Sequence, residues 1–326
     1  MKKNLFFGLL LGALLTYLSV RGIPLQAVAA GFKASKTEYL LLSLLLMLAM
    51  QVLRTVRWGA ILRPLEKIGP LVLFSVTNVG FLAIVALPAR LGELVRPYLI
   101  TGKSGIKMSS ALGTILVERV CDSLTIMTIF GAILFFMPFP LWVLEAAGIF
   151  FIATLIAVSL MIFLIFRRET TLRAVRPLFA KLPAGFSLRL DRIIHSFIEG
   201  FRIIHDSTNL LYVLFLSALI WLVDAAVIYV LFFAFNLQLP LTAAFALMIV
   251  LVIGIAIPAA PGFIGNWHFF CILGLGLFDV PRPEALAFAV IYHFLSIGIV
   301  IILGLIFLPF NRFSVADVRR QFNRVK

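Results

Sequence analysis

The chain has 326 residues, of which 63% are hydrophobic and only 13% charged, with a net charge of +14. Soluble domains are about one quarter charged, and the basic residues here lie between apolar runs rather than on one hydrophilic face, which excludes a soluble enzyme and a nucleic-acid module. Several runs reach the roughly 20 residues that cross a bilayer as a helix. The chain is therefore a polytopic, all-α integral membrane protein whose basic residues set topology and meet anionic lipid.

In chain order, Lys2 and Lys3 precede an apolar run at 5–20, and Ala27-Val28-Ala29 follows. That pattern imitates a cleavable signal peptide, but the length of the run and the many spans behind it favour a first transmembrane helix. A short loop with Arg21, Lys33, Lys36 and Glu38 leads to a second span at 39–56. Arg54, Arg57, Arg63 and Lys67 then read as a cytoplasmic basic cluster. Residues 71–87 run into Pro88-Ala89-Arg90-Leu91-Gly92-Glu93-Leu94-Val95-Arg96, and Lys103 and Lys107 follow. A full crossing at 71–87 would leave strongly basic segments on opposite sides, so this segment is expected to be a re-entrant hairpin from the cytoplasm. A long span at 109–137 carries Glu118, Arg119 and Asp122, Pro138 and Pro140 turn the chain outside, and 141–166 brings it back.

The one substantial loop comes next. Residues 167–206 hold eight Lys/Arg against four Asp/Glu, and Ile193, Ile194, Phe197, Ile198, Phe201 and Ile204 recur at helical spacing. Such an amphipathic helix lies on the inner leaflet or packs under the bundle. A span at 210–235 leads outward, and 241–257 then breaks at Pro258-Ala259-Ala260-Pro261-Gly262-Phe263-Ile264-Gly265-Asn266 before apolar sequence resumes to Phe278. The parity closes if this segment turns back from the outer side or crosses twice. A last span at 284–310 ends in a basic tail. The sum is about six full spans and two broken or re-entrant hairpins in one transmembrane domain, 1–326, with a cytoplasmic loop at 167–208 and a cytoplasmic tail at 311–326. The two proline-stopped half-helices resemble each other, as in an inverted repeat, and interrupted segments in corresponding halves mark transporter substrate sites.

Charged residues inside a bilayer persist where they pair or line a cavity. Arg90, Glu93 and Arg96 are three apart and share a helix face, and Glu118 and Asp122 lie one turn apart with Arg119 between them. Cross-pairing between the two groups is expected. Arg90, Arg96 or Arg119 then grips a lipid phosphate through the guanidinium fork, or the charges only brace the hairpin. In the second break, Pro261, Gly262, Gly265 and Asn266 stand at the start of a half-helix, whose N-terminus favours an anion. His268 and His293 are the polar groups nearest to it. They read as proton carriers or as hydrogen-bonded core histidines, since a metal pair lacks further ligands. Asp224, isolated in an apolar run, is a cavity candidate or a helix–helix hydrogen bond. Cys121 and Cys271 lie in apolar runs without metal or disulfide spacing. No GxSxG, HExxH or Walker motif occurs.

The ordered set Asn78…Pro88-x-Arg90-x-Gly92-Glu93-x-x-Arg96, Glu118-Arg119-x-x-Asp122 and Pro258…Pro261-Gly262-x-x-Gly265 resembles the flippase-like family named for the transmembrane region of lysylphosphatidylglycerol synthases, over essentially the whole chain. The resemblance implies binding a lipid and moving it between leaflets. It does not carry over aminoacyl transfer, which belongs to a cytosolic domain that follows the membrane part in the full synthases. Many members carry glycine at the position of Phe263, glutamate at that of His268 and arginine at that of His293, so the polar pairing at the second hairpin differs here. The expectation is a transporter of a phosphate-bearing lipid in the bacterial inner membrane, with both termini cytoplasmic. Its partners are anionic or polyprenyl-phosphate lipids and lipid-modifying enzymes, with no nucleic acid, metal or cofactor. The alternative is an intramembrane lipid-headgroup-modifying enzyme, or a non-transporting partner of one.

Overall fold

The computed structural model describes residues 2–87, 92–166, 184–257 and 260–311. Those residues form twelve α-helices: α1 (Lys2–Val20), α2 (Leu25–Ala34), α3 (Thr37–Leu62), α4 (Pro70–Ala86), α5 (Val95–Thr101), α6 (Met108–Ile133), α7 (Leu141–Phe166), α8 (Ala184–Glu199), α9 (Ser207–Ala234), α10 (Leu241–Ala256), α11 (Asn266–Gly276) and α12 (Arg282–Phe307). Helix starts follow local chemistry. Proline occupies the first turn of α4 and of α12, where its missing N–H costs nothing. The Asp206 carboxylate caps α9 by accepting from the Asn209 amide at 3.1 Å.

Among the described residues, α3, α7, α9 and α12 are long and apolar enough to cross a bilayer. Helix α6 equals α3 in length but carries Glu118, Arg119 and Asp122. Helices α4 and α10 have 17 and 16 residues, about 25 Å at 1.5 Å per residue, short of a hydrocarbon core of about 30 Å. Each is followed by a break and a shorter helix, α5 or α11. Arg90, Pro258 and the basic tail lie outside the described residues.

Both broken segments pack on long helices from distant parts of the chain. Helix α3 lies along α9, α4 packs on α12, and α10 packs on α6. Helix α10 is buried all round through Ala243, Ala244, Ala246, Leu247 and Val250, the pattern of a helix with no solvent or lipid face. A second core unites Trp58, Val76, Val79, Val95 and Ile100 around the first hairpin. Hydrogen bonds sort the helix ends into two sets. Arg282 donates to the Leu18 carbonyl at 2.8 Å, and Lys36 N donates to the Ala234 carbonyl at 2.9 Å, at one end. At the other, Glu66 accepts from Gly105 N at 2.8 Å and Lys103 Nζ donates to the Phe310 carbonyl at 2.9 Å. The Glu66–Gly105 bond ties the entry of the first hairpin to its exit.

The structure corrects two sequence expectations. The loop holding Lys33 contains α2, which starts behind Pro24 and packs on α12, with Gly31 against Ala287 and Val28 beside Leu286. Helix α3 does not stop near Val56 but runs to Leu62, so Arg54 and Arg57 belong inside the bundle rather than to a cytoplasmic cluster. Of the two placements open to the amphipathic segment, its described end is packed. Phe201 and Ile203 are fully buried against Val117, Val120 and Met161, and Gly113 and Gly200 bring the backbones of α6 and the segment into contact.

Candidate functional site

The site grows from one face of α3, where Gln51, Arg54 and Arg57 recur every three residues. Arg57 is 3% exposed and gives both terminal nitrogens to the Asp122 carboxylate, one of them also to Ser217 Oγ at 3.0 Å. Trp221 Nε1 donates to the same carboxylate at 3.0 Å. Three helices thus meet at Asp122: α3, α9 and its own α6. The aspartate is held by charge-assisted bonds rather than left to the bilayer.

A second pair lies beside it. Arg96, on α5, is 1% exposed and forks onto Glu118, Nη1 to Oε1 at 2.9 Å and Nη2 to Oε2 at 3.0 Å. Its guanidinium lies 4.2 Å from the centre of the Trp58 ring and 5.4 Å from that of Phe81, a cation–π seat in a dry surrounding. Trp58 is fixed in turn by donating to Thr114 Oγ1 at 3.2 Å. Glycines make the approach feasible. A Cβ on Gly80 would stand 2.1 Å from Arg96 Cγ, and one on Gly92 would stand 2.2 Å from the Ala83 carbonyl carbon. The expected pairing between the first hairpin and the following span is therefore present as Arg96–Glu118, and both terminal nitrogens of Arg96 are occupied by it.

Two cations remain on the cavity wall. Arg119 is 45% exposed and stands 3.4 Å from Glu118 and 3.8 Å from Asp122, looser contacts than those of Arg57 and Arg96. Arg54 donates to Gln51 Oε1 at 2.9 Å and lies 5.2 Å from the Phe81 ring centre. Gln51 Nε2 donates to Asn78 Oδ1 at 3.1 Å, and Asn78 Nδ2 donates to the Phe74 carbonyl at 2.8 Å. An amide relay thereby fixes Arg54 to α4. Arg54, Arg119, Glu93, Glu118, Asp122 and Asp224 share the lining of one cavity of about 250 Å³. Phe81, Ile84 and Val85 of the first hairpin and Ile255, Phe263 and Trp267 of the second close its walls.

The second break sits differently. Asn266 is fully buried and donates to the Gly254 carbonyl at 3.1 Å and to that of Ile257 at 3.4 Å, stitching α11 to the end of α10. Gly265, at φ 89°, faces α1, where a Cβ would stand 2.2 Å from the Gly12 carbonyl oxygen. The start of α11 thus abuts α1. Gly262 takes φ 69°, Phe263 takes φ 58°, and the Gly262 carbonyl accepts from His293 Nε2 at 2.7 Å. His268 and His293 meet with ring centres 4.8 Å apart, behind Phe263 and Trp267 rather than on the cavity wall. Pro261 borders an apolar groove against α1 instead. Of the residues expected to form the site, the structure gathers Glu93, Glu118, Arg119 and Asp122 on the cavity, places Arg96 beneath it and sets the second-break residues behind it. Arg54, Arg57 and Gln51 are the members that sequence reasoning missed. Their three-residue spacing was the available signal.

Comparison with known proteins agrees with this architecture. The family model described as "Lysylphosphatidylglycerol synthase TM region" matches residues 5–304. Two UPF0104 membrane proteins of Methanothermobacter thermautotrophicus are similar, one 24% identical over 86% of this chain and 87% of its own, the other 25% identical over 99% and 97%. A UPF0104 membrane protein of Methanocaldococcus jannaschii is 25% identical over 67% of this chain and 89% of its own. No solved structure matches the chain. With the match covering nearly the whole chain, this protein belongs to the lysylphosphatidylglycerol synthase TM region family.

Proposed function

We propose that this protein moves a phosphate-bearing lipid between the leaflets of the inner, cytoplasmic membrane, and that Arg119 and Arg54 hold the phosphate. The observation that carries this reading is the division of labour among four arginines. Arg57, itself on the cavity wall, and Arg96 are consumed by bidentate carboxylates, while Arg54 and Arg119 line the cavity between the two hairpins without such a fork. A guanidinium presents a planar fork that suits phosphate oxygens. Charged side chains inside a bilayer mark a pathway when they line a cavity, and a cavity of about 250 Å³ admits a headgroup while the acyl chains stay in lipid. The family and its membrane-protein relatives are consistent with a lipid as cargo.

In this reading α1, α3, α6, α7, α9 and α12 are the six crossings. The hairpins α4–α5 and α10–α11 enter from opposite sides as halves of an inverted repeat, and both termini are cytoplasmic. The α4/α12, α10/α6 and α3/α9 contacts fit that symmetry. The protein acts as a transporter rather than an enzyme. The test is leaflet exchange of fluorescent phosphatidylglycerol in vesicles containing the purified protein. Exchange is expected to exceed that of protein-free vesicles and to fall at least about tenfold in Arg119→Ala and in Arg54→Ala, the loss of one charge-assisted phosphate contact. Melting temperature should change little in Arg119→Ala, since an exposed ion pair contributes under about 1 kcal/mol. Equal exchange with and without protein overturns the proposal.

A further inference from the structure

We propose that Asp224 is a proton-binding site coupled to headgroup loading, an inference that rests on the phosphate reading above. Asp224 lies in the middle of α9, with the apolar run Ala218-Leu219-Ile220-Trp221-Leu222-Val223 ahead of it and Ala225-Ala226-Val227-Ile228 behind it. It is the acid on the cavity wall that carries neither a hydrogen bond nor an ion pair among the described residues. Glu118 and Asp122, by contrast, are each gripped by an arginine fork. An ionised carboxylate in the hydrophobic interior persists only with a counter-charge. The charge acting on Asp224 is Arg54, across the cavity on α3. The Gln51–Asn78 relay and the Phe81 ring hold the Arg54 guanidinium in place on α3.

The groups around Asp224 set its charge balance. Arg54 and Arg57 face the cavity from α3, Glu118, Arg119 and Asp122 from α6, Glu93 from the break of the first hairpin and Tyr292 from α12. Arg57 and Asp122 neutralise each other. With the cavity empty, Arg54 presents an uncancelled positive potential to Asp224. When a phosphate docks on Arg54, that potential is cancelled and a like charge now stands across a low-dielectric gap from the carboxylate. Asp224 then takes one proton from a solvent hydronium onto an Oδ atom, leaving a water molecule, and gives the proton back to water when the headgroup leaves. A proton and an anionic headgroup thus load together, which gives a chain without a Walker motif a means of drawing on a proton gradient.

The experiment measures binding of short-chain phosphatidylglycerol to the full chain in detergent between pH 6 and pH 8, a range in which that phosphodiester does not titrate. Linkage requires affinity to fall as pH rises, by up to about tenfold per unit, with calorimetry in buffers of different ionisation enthalpy reporting proton uptake. Asp224→Asn should bind with an affinity flat across the range and with no proton uptake, and Asp224→Glu should restore the slope. Retention of the wild-type slope in Asp224→Asn would place the proton elsewhere, on His268 or His293 for example, and overturn the proposal. Wild-type binding that is pH-independent also overturns it while leaving the phosphate reading standing. No binding at all overturns both. In vesicles, an imposed pH gradient is expected to accelerate wild-type lipid exchange several-fold and to leave the Asp224→Asn rate unmoved, and a wild-type rate indifferent to the gradient counts against the coupling.

Discussion

Glu118→Gln is expected to unfold at a markedly lower temperature than the wild type in detergent, by an amount equivalent to about 3–5 kcal/mol, the typical cost of removing one partner of a buried ion pair. The reason lies in what Glu118 leaves behind. Arg96 is 1% exposed, with both terminal nitrogens directed at Glu118, and Trp58 and Phe81 packed against its plane. A neutral amide can accept only one of the two bonds and offers no charge, so a guanidinium is stranded in an apolar seat. Arg57, which stands 3.5 Å from Glu118, keeps Asp122 and is disturbed less. The double variant Arg96→Met/Glu118→Leu is expected to recover most of the lost stability, because a well-packed apolar pair of similar volume avoids desolvating two charges. A double variant as unstable as Glu118→Gln would show that the pair does more than brace the hairpin. Since unfolding of membrane proteins is commonly irreversible, the comparison is made at one scan rate.

The second large effect is steric. In Gly92→Ala the new Cβ falls 2.2 Å from both the Ala83 carbonyl carbon and the Ile84 nitrogen. Both are backbone atoms within α4, so no rotamer relieves the clash. Overpacking a tight site costs about 1–3 kcal/mol when side chains repack, and here the hairpin itself must open. The expected result is a loss at or above the top of that range, with Gly92→Val worse. Gly148→Ala, on α7 where an added Cβ meets nothing within 4 Å, should be neutral or gain a few tenths of a kcal/mol from helix propensity. Thermal unfolding of the three variants side by side checks the pair. Similar stability for Gly92→Ala and Gly148→Ala would mean that the first hairpin does not close as described.

The membrane class and both broken segments were legible because proline and the length of apolar runs act locally. The Arg96–Glu118 contact was legible as an expectation, since charged residues in two neighbouring apolar segments have few partners available. Arg57 was not. Its partner Asp122 is 65 residues away, and an arginine close behind an apolar run normally signals the end of a span. The helix continued because Trp58, Ile61 and Leu62 behind it are buried in the bundle. By the same three-residue spacing that the sequence shows at 90, 93 and 96, residues 51, 54 and 57 belong inside together. Helix α2 escaped notice because it is only ten residues long and its Ala27-Val28-Ala29 imitates a cleavage site. The position of the two histidines depends on how the second break folds over α12, which no local pattern encodes.

Packing between helices far apart in the chain has a consequence for biogenesis. Helix α4 is translated long before α12, the helix it lies on, and α6 long before α10. During synthesis the first hairpin has its neighbours α3, α5 and α6 but lacks one wall, and the Arg57–Asp122 pair can close before Trp221 and Ser217 arrive from α9. The expected order of assembly is electrostatic latch first, apolar closure last. Chains arrested before residue 282 should leave Leu82, which packs on Gly304 in the finished fold, open to a membrane-permeant thiol reagent in a Leu82→Cys variant, whereas completed chains protect it. Equal labelling of arrested and completed chains would remove this order.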